Sequence, residues 1–367
     1  MLLKFTLTLL ATCLSIAATC LVADEATAWK MRVQQGTYAL PVILQELESA
    51  SPTKANWLRT AADAIIEKAL SSGESLDLKP FQTVLFDIKR NPKVRRMCYE
   101  WIITAKPELK SELISSFLND PSLELRRDAV AQLINQVKDK SDAGAIDWRN
   151  IAKYARDRDQ VDEIAKALKK WNEELDTAAH FGFIRDWAVL STFDNTDEKG
   201  FAISYEPEKK LDFQTTYVGK DNKPATWKKI TSTDAYGKVD LAKSIGKHKA
   251  AIAYAVAIVE PVIHEKDSKL EIPVELRANS LNAVKVWLNG KEVIAHEEYH
   301  HGDNMDQYIG KGSLKPGKNI ILVKICQNDQ KEPWAQSWEF ALRVCDHVGT
   351  ATPLKVLPAP IEDTQEK

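Results

Sequence analysis

The chain has 367 residues, with 50 Lys and Arg against 52 Asp and Glu and a formal net charge of −2. That length leaves room for two domains or more. The near-even charge gives no sign of a polyanion partner, and nucleic acid is not an expected ligand.

The chain opens "MLLKFTLTLLATCLSIAATCLVADEATAW", with one Lys, an apolar run and then small residues. This is the pattern of a secretory signal peptide, residues 1–23, cleaved after Ala23, with Ala28 as the other small-residue site. A retained membrane anchor is the competing reading. Removing residues 1–23 takes away Lys4 and no acid, which leaves a net charge of −3 and three cysteines, Cys98, Cys326 and Cys345. No later segment is apolar for long enough to span a bilayer. The expected location is therefore outside the cytoplasm, periplasmic or extracellular.

Residues 30–178 form the first expected domain. From Thr37 onward, segments such as "ANWLRTAADAIIEKAL", "VRRMCYEWIITA", "LELRRDAVAQLINQV" and "QVDEIAKALKKWNEEL" place apolar residues at i, i+3, i+4 and i+7. Short links carrying Pro, Asn, Asp or Ser separate them, as in stacked helical hairpins. "DPSLELRRDAVAQLINQ", from Asp120 to Gln136, has an outline that returns at Asn91 and Ser51, each time with Pro at the helix start. Units of this kind cannot bury their apolar faces alone and must stack. The Asp-Pro…Arg-Arg-x-Ala-Val pattern resembles HEAT-type repeats, which implies an α-solenoid offering surface rather than chemistry. An unspecialised helical bundle fits the same periodicity.

After Ala178 the period becomes two, and residues 180–348 form the second expected domain. In "AIAYAVAIVEP", Ile252, Tyr254, Val256 and Ile258 share one face and Ala251, Ala253, Ala255 and Ala257 the other. "KLEIPVELR", "AVKVWLNG", "NIILVKIC" and "WEFALRV" continue the alternation, with turns at Asn289-Gly290 and Pro316-Gly317. Short strands without intervening helical pattern indicate an antiparallel β-sandwich, so the fold class is multidomain α plus all-β. A hairpin turning near Lys331 would set Cys326 and Cys345 roughly 20 Å apart, and free thiols are expected. The tail, residues 349–367, carries Pro353, Pro358 and Pro360 and reads as disordered.

"DWAVLSTFDNTDEKGFAISYEPEKKLD", "YAVA", "VKVWLNGKEV", "LKPGKNIILVKI" and "WEFALRV", in that order, resemble the galactose-binding-like jelly-roll modules of secreted bacterial proteins. The resemblance covers Arg185 to Val348. It implies a jelly roll, sugar binding of the kind found in modules attached to glycosidases, and a structural calcium in some members.

"HEEYH", His296 to His300, matches the zinc-peptidase signature HExxH. On a helix, residues i and i+4 lie about 5–6 Å apart and can share a metal. On a strand the same pair lies about 13 Å apart, out of reach of one zinc. A two-residue turn at Asn289-Gly290 favours the strand, pairing Val286 with Val293, Val284 with Ala295 and Trp287 with Glu292. A zinc metallopeptidase using His296, Glu297 and His300 is therefore the alternative, and no catalytic residue is expected.

Two polar clusters remain. "HEEYHHGDNMDQY" supplies His300, His301, Asp303 and Asp306 for a ligand rim, with Trp334 and Trp287 as stacking platforms for sugar CH groups. The competing reading is a solvated loop. "FDNTDEKG" gathers Asp194, Asn195, Asp197 and Glu198, oxygen donors of the type calcium takes; calcium is the one cofactor considered, against an ordinary Asx-rich turn. The expected function is non-catalytic recognition, of a glycan by the sandwich or of an envelope protein by the helical half. A purely structural envelope module is the further alternative.

Overall fold

The computed structural model describes residues 25–263 and 270–361. The expected signal peptide, residues 1–23, and the last residues of the tail lie outside these. Residue contacts divide the chain into two compact units, one ending at Ala155 and the other beginning at Arg156. The first is helical and the second is built on antiparallel sheets, a multidomain α plus β architecture.

Helices in the first unit run Leu40–Leu47, Pro52–Ser71, Lys79–Phe86, Pro92–Ala105, Lys110–Ser115, Leu123–Asp139 and Ala145–Ala152. Pro52 and Pro92 stand at the first helical turn, where a missing N–H costs nothing. The caps just before them, Ser51 and Asn91, accept from the amides of Lys54 at 3.4 Å and Lys93 at 3.0 Å. The apolar stripes meet in one core that includes Leu58, Ile65, Phe81, Leu85, Cys98, Ile102 and Leu125. Inside it Arg95 grips Asp120 with two bonds of 2.7 and 2.6 Å and donates to the Leu85 carbonyl at 2.7 Å. Asp120 also accepts from the Ser122 amide at 2.7 Å, so one buried ion pair ties the turn before Leu123–Asp139 to the helix Pro92–Ala105.

The second unit starts with helices Arg158–Leu168 and Thr177–Phe181. They belong to it by contact. The Tyr236 hydroxyl donates to Asp162, the Arg158 guanidinium lies 4.2 Å from the Tyr236 ring centre, and Arg343 donates to the Phe181 carbonyl at 3.1 Å. The sequence changes period near His180, whereas the packing changes at Arg156.

Among the described residues thirteen strands follow: β1 (Asp186–Asp194), β2 (Tyr217–Val218), β3 (Pro224–Ala225), β4 (Trp227–Thr231), β5 (Val239–Asp240), β6 (Ala251–Pro261), β7 (Ile272–Ser280), β8 (Ala283–Leu288), β9 (Lys291–His296), β10 (Tyr308–Leu314), β11 (Asn319–Gln327), β12 (Glu339–Cys345) and β13 (Leu354–Leu357). The larger sheet has the order β4-β1-β6-β11-β8-β9, with β13 added to β6 beyond the end of β1; the smaller is β10-β7-β12-β5. Between the sheets lie Ala251, Ala253, Ala255 and Ala257 with Leu276, Val286, Val323, Trp338, Phe340 and Leu342. The small alanines let the sheets approach where Trp338 and Phe340 fill the gap.

The other face of the larger sheet is also buried. Residues 195–226 fold back over it, and Ile252, Tyr254, Val256 and Leu322 pack there with Phe201, Tyr217 and Trp227. Lys324 points into this layer fully buried, donating to the carbonyls of Phe201 (3.2 Å) and Ile203 (2.7 Å) and to Glu208 (2.9 Å).

Three expectations are corrected. Part of the tail is not disordered: Leu354–Leu357 pairs with Pro261 to Ile258, since the alternating apolar residues of "LKVL" have an open stretch of β6 to cover. No hairpin joins β11 to β12, because residues 328–338 carry the chain from one sheet to the other. Cys98, Cys326 and Cys345 are nevertheless free, and burial pushes their thiols up to about 12, 12 and 11. In the β8–β9 hairpin Trp287 pairs with Glu292, but a bulge follows, and Val286 meets Ile294 and Val284 meets His296. Val293 and Ile294 are both apolar, so the pattern alone permits either register.

Candidate functional site

The HExxH motif does not form a helix. His296 ends β9, and His300 lies beyond it in left-handed backbone with φ of 57°. Their rings have separate partners. The His296 ring stacks on Tyr308 with centroids 4.1 Å apart, while His300 Nε2 lies 2.9 Å from Asn328 Oδ1 and its ring packs T-shaped against Trp334 with centroids 5.1 Å apart. The helical turn on which a zincin holds its metal is absent.

Three chain crossings meet at one end of the larger sheet: the exit of β1 at Asn195, the segment after β9 at Tyr299–His300, and the exit of β11 at Asn328. The fully buried Asn195 amide donates to the Tyr299 hydroxyl and to the Gln327 carbonyl, both at 3.0 Å. The Asn328 amide oxygen accepts from His300 Nε2, and its amide nitrogen donates to Glu198 at 3.2 Å. Above them Trp334 is 63% exposed. Folding thus joins the two polar clusters, 194–198 and 296–303, into one surface of Glu198, His300 and Trp334, braced from beneath by the buried Asn328. Asn328 is the member that sequence reasoning missed; it stands in "CQNDQK", where nothing marks it off from an ordinary polar turn.

The four calcium candidates do not converge. Asp194 accepts from Thr196 at 2.7 Å and lies 3.6 Å from the Lys220 ammonium, Asp197 pairs with Lys199 at 2.9 Å, and Glu198 faces Asn328. Asn195 turns inward. Among the described residues no group of three or more His, Cys, Asp or Glu is placed to hold a metal.

Asp303 and Asp306 leave the rim altogether. Asp303 accepts from Lys238 at 2.6 Å and from Asn279 at 2.5 Å. Asp306 sits between two arginines, receiving Arg343 at 2.6 Å on each oxygen and Arg277 at 2.7 Å. Burial pushes the Asp306 carboxyl up, but the bonds and charge of Arg343 and Arg277 prevail and hold it below its ordinary value. His301 is exposed, 3.9 Å from Glu298. Trp287 lies at the far end of the sheet, on its outer face, in a cleft of about 370 Å³ with Glu208, Leu211, Ile320 and Leu322.

No protein-family model matches the chain, and no curated protein matches it. Among solved structures, a β-glucosidase from Kluyveromyces marxianus in complex with glucose is similar over 43% of this chain and 16% of its own, at 13% identity and a TM-score of 0.27. A GH31 α-xylosidase from Xanthomonas citri is similar over 34% of this chain and 15% of its own, at 12% identity and a TM-score of 0.21. The PA14 sugar-binding domain of an RTX adhesin is similar over 53% and 82%, at 12% identity and a TM-score of 0.20. Likeness at these scores decides nothing about function.

Proposed function

We propose that this chain is an exported, non-catalytic recognition protein. Its sandwich, of galactose-binding-like type, binds a carbohydrate at the end carrying Trp334, and its HEAT-like helical unit serves as a scaffold for an envelope protein. One observation carries the sugar reading: an exposed indole, 63% accessible, is held edge-on by the His300 ring, which Asn328 fixes in turn. A rigid aromatic presented to water beside a carboxylate (Glu198) and an imidazole offers the stacking face and hydroxyl partners that sugars use.

The test is a glycan array followed by titration of the full chain, with Trp334→Ala and His300→Ala as separate variants. Affinity on the order of 0.1–1 mM is expected for a shallow site. Removing Trp334 should weaken it by about 1–2 kcal/mol. Equal binding by wild type and both variants would place recognition elsewhere.

A further inference from the structure

The Trp287 cleft lies outside that rim. Trp287 and Ile320 are at one end of β8 and β11, and Gln327, just before Asn328, is seven residues along β11 from Ile320, roughly 23 Å at the strand rise. The cleft therefore stands or falls separately from Trp334.

Its floor is apolar: Trp287, Leu211, Leu322 and Ile320, the last 39% exposed. Its polar wall is one carboxylate. Glu208 has a side chain only 10% exposed, and a single oxygen, Oε1, takes both the buried Lys324 ammonium at 2.9 Å and the Tyr254 hydroxyl. Burial pushes the Tyr254 phenol up, with the Glu208 charge adding to it, so the phenol stays protonated and donates. The carboxylate is thus fixed in position, with its second oxygen left to accept. The other polar neighbours are committed: Asn289 accepts from the Ile320 amide at 2.9 Å and donates to Asn319 at 2.8 Å, and Lys209 pairs with Glu206 at 2.9 Å.

We propose that this cleft is a second binding site, and that it takes a neutral saccharide. One ring would lay its CH face on Trp287 and give hydroxyl protons to Glu208. Three features select that class. The volume, about 370 Å³, lies in the range of small-ligand sites. A lone acceptor carboxylate welcomes hydroxyl donors, and the nearby cations, Lys324 and Lys209, are already paired with Glu208 and Glu206, so a uronate finds no unpaired cation there. A peptide added along the strand is excluded because β11 is interior, with Ile320 and Leu322 already paired to Ile258 and Val256, and Leu322 also to Trp287.

The probes are neutral oligosaccharides of glucose, galactose, mannose and xylose, with an oligogalacturonate as the charged comparison. Each is titrated against the full chain and followed by ligand-observed NMR. Wild type should bind at least one neutral probe with a Kd on the order of 0.1–1 mM. Ile320→Lys, which fills the cleft mouth from a half-exposed position, and Trp287→Ala should each weaken that binding about tenfold. Trp334→Ala should leave a component that Ile320→Lys removes. Thermal melts check that each variant is folded. The proposal is overturned if no neutral probe binds at about 10 mM, if the oligogalacturonate binds more tightly, or if Ile320→Lys binds as wild type does. In that last case loss in Trp334→Ala leaves the rim reading standing; conversely, loss in Ile320→Lys without loss in Trp334→Ala upholds the cleft and overturns the rim.

Discussion

The side-chain amide of Asn195 bonds the Tyr299 hydroxyl at 3.0 Å across 104 residues of sequence. Its second donor contact, to the Gln327 carbonyl at 3.0 Å, closes a three-way knot beneath the Trp334 surface. Gln327 is withdrawn from water and Tyr299 is half-buried, so a neutral donor belongs here. Asn195→Ala should cost about 1–3 kcal/mol, because it removes both bonds and leaves the buried Gln327 carbonyl short of a donor. Tyr299→Phe should cost about 1 kcal/mol, with a coupling energy of about 0.5–1.5 kcal/mol in the double variant. Urea unfolding of the four proteins reads all three values; additive costs would mean that the bond contributes nothing of its own.

How much of this was legible in the sequence follows from what each signal encodes. Alternation gave the faces, so Trp287 on the outer side and Trp338 within could be read directly. Asn289-Gly290 marked the β8–β9 turn because few other pairs accept its backbone, with φ of 52° and 81°. The layer of residues 195–226 was invisible: its pieces are too short and too rich in Lys and Pro to show a period. Its main anchor, Lys324, reads from sequence as an ordinary outward residue. Asp303 and Asp306 looked free because their partners, Lys238, Asn279, Arg277 and Arg343, come from distant parts of the chain. Arg277 and Arg343 stand directly opposite each other on β7 and β12, a like-charge pairing that requires an anion between them; register, not composition, reveals it.

That arginine pair makes a prediction about pH. The Asp306 carboxyl titrates below its unfolded value, so its contribution to stability is complete above about pH 4 and is lost as pH falls through the lower folded value. Asp306→Asn should cost about 3 kcal/mol at neutral pH, since it leaves two guanidinium groups facing each other. The gap between variant and wild type should close as pH falls below about 4. Thermal melts from pH 7 to pH 2 test this, and a constant gap across that range contradicts it.

In the helical unit, Arg95 and Asp120 are almost fully shielded, with side chains 0% and 5% exposed. Asp120→Ala strands the Arg95 charge and should destabilise by about 3–5 kcal/mol. Arg95→Met paired with Asp120→Leu removes both charges and should recover much of that loss. If the double variant is no better than Asp120→Ala, the Ser122 amide and the Asp120 turn, rather than the ion pair, hold this junction.

Autonomy provides the last test. The unit beginning at Arg156 buries its own core between two sheets, and a domain of this size can fold alone. A fragment of residues 156–361 should therefore give a cooperative thermal transition with β-type circular dichroism. A shorter fragment of 180–349 removes Arg158 and Asp162 from Tyr236 and strips β13 from β6. Leu354 and Val356 pack against the core from that strand. At about 1 kcal/mol for each half-buried apolar side chain removed, together with the lost Tyr236 contacts, the shorter fragment should be less stable by several kcal/mol. Equal midpoints for the two fragments would show that the helices from Arg158 to Phe181 and the strand Leu354–Leu357 only decorate the sandwich.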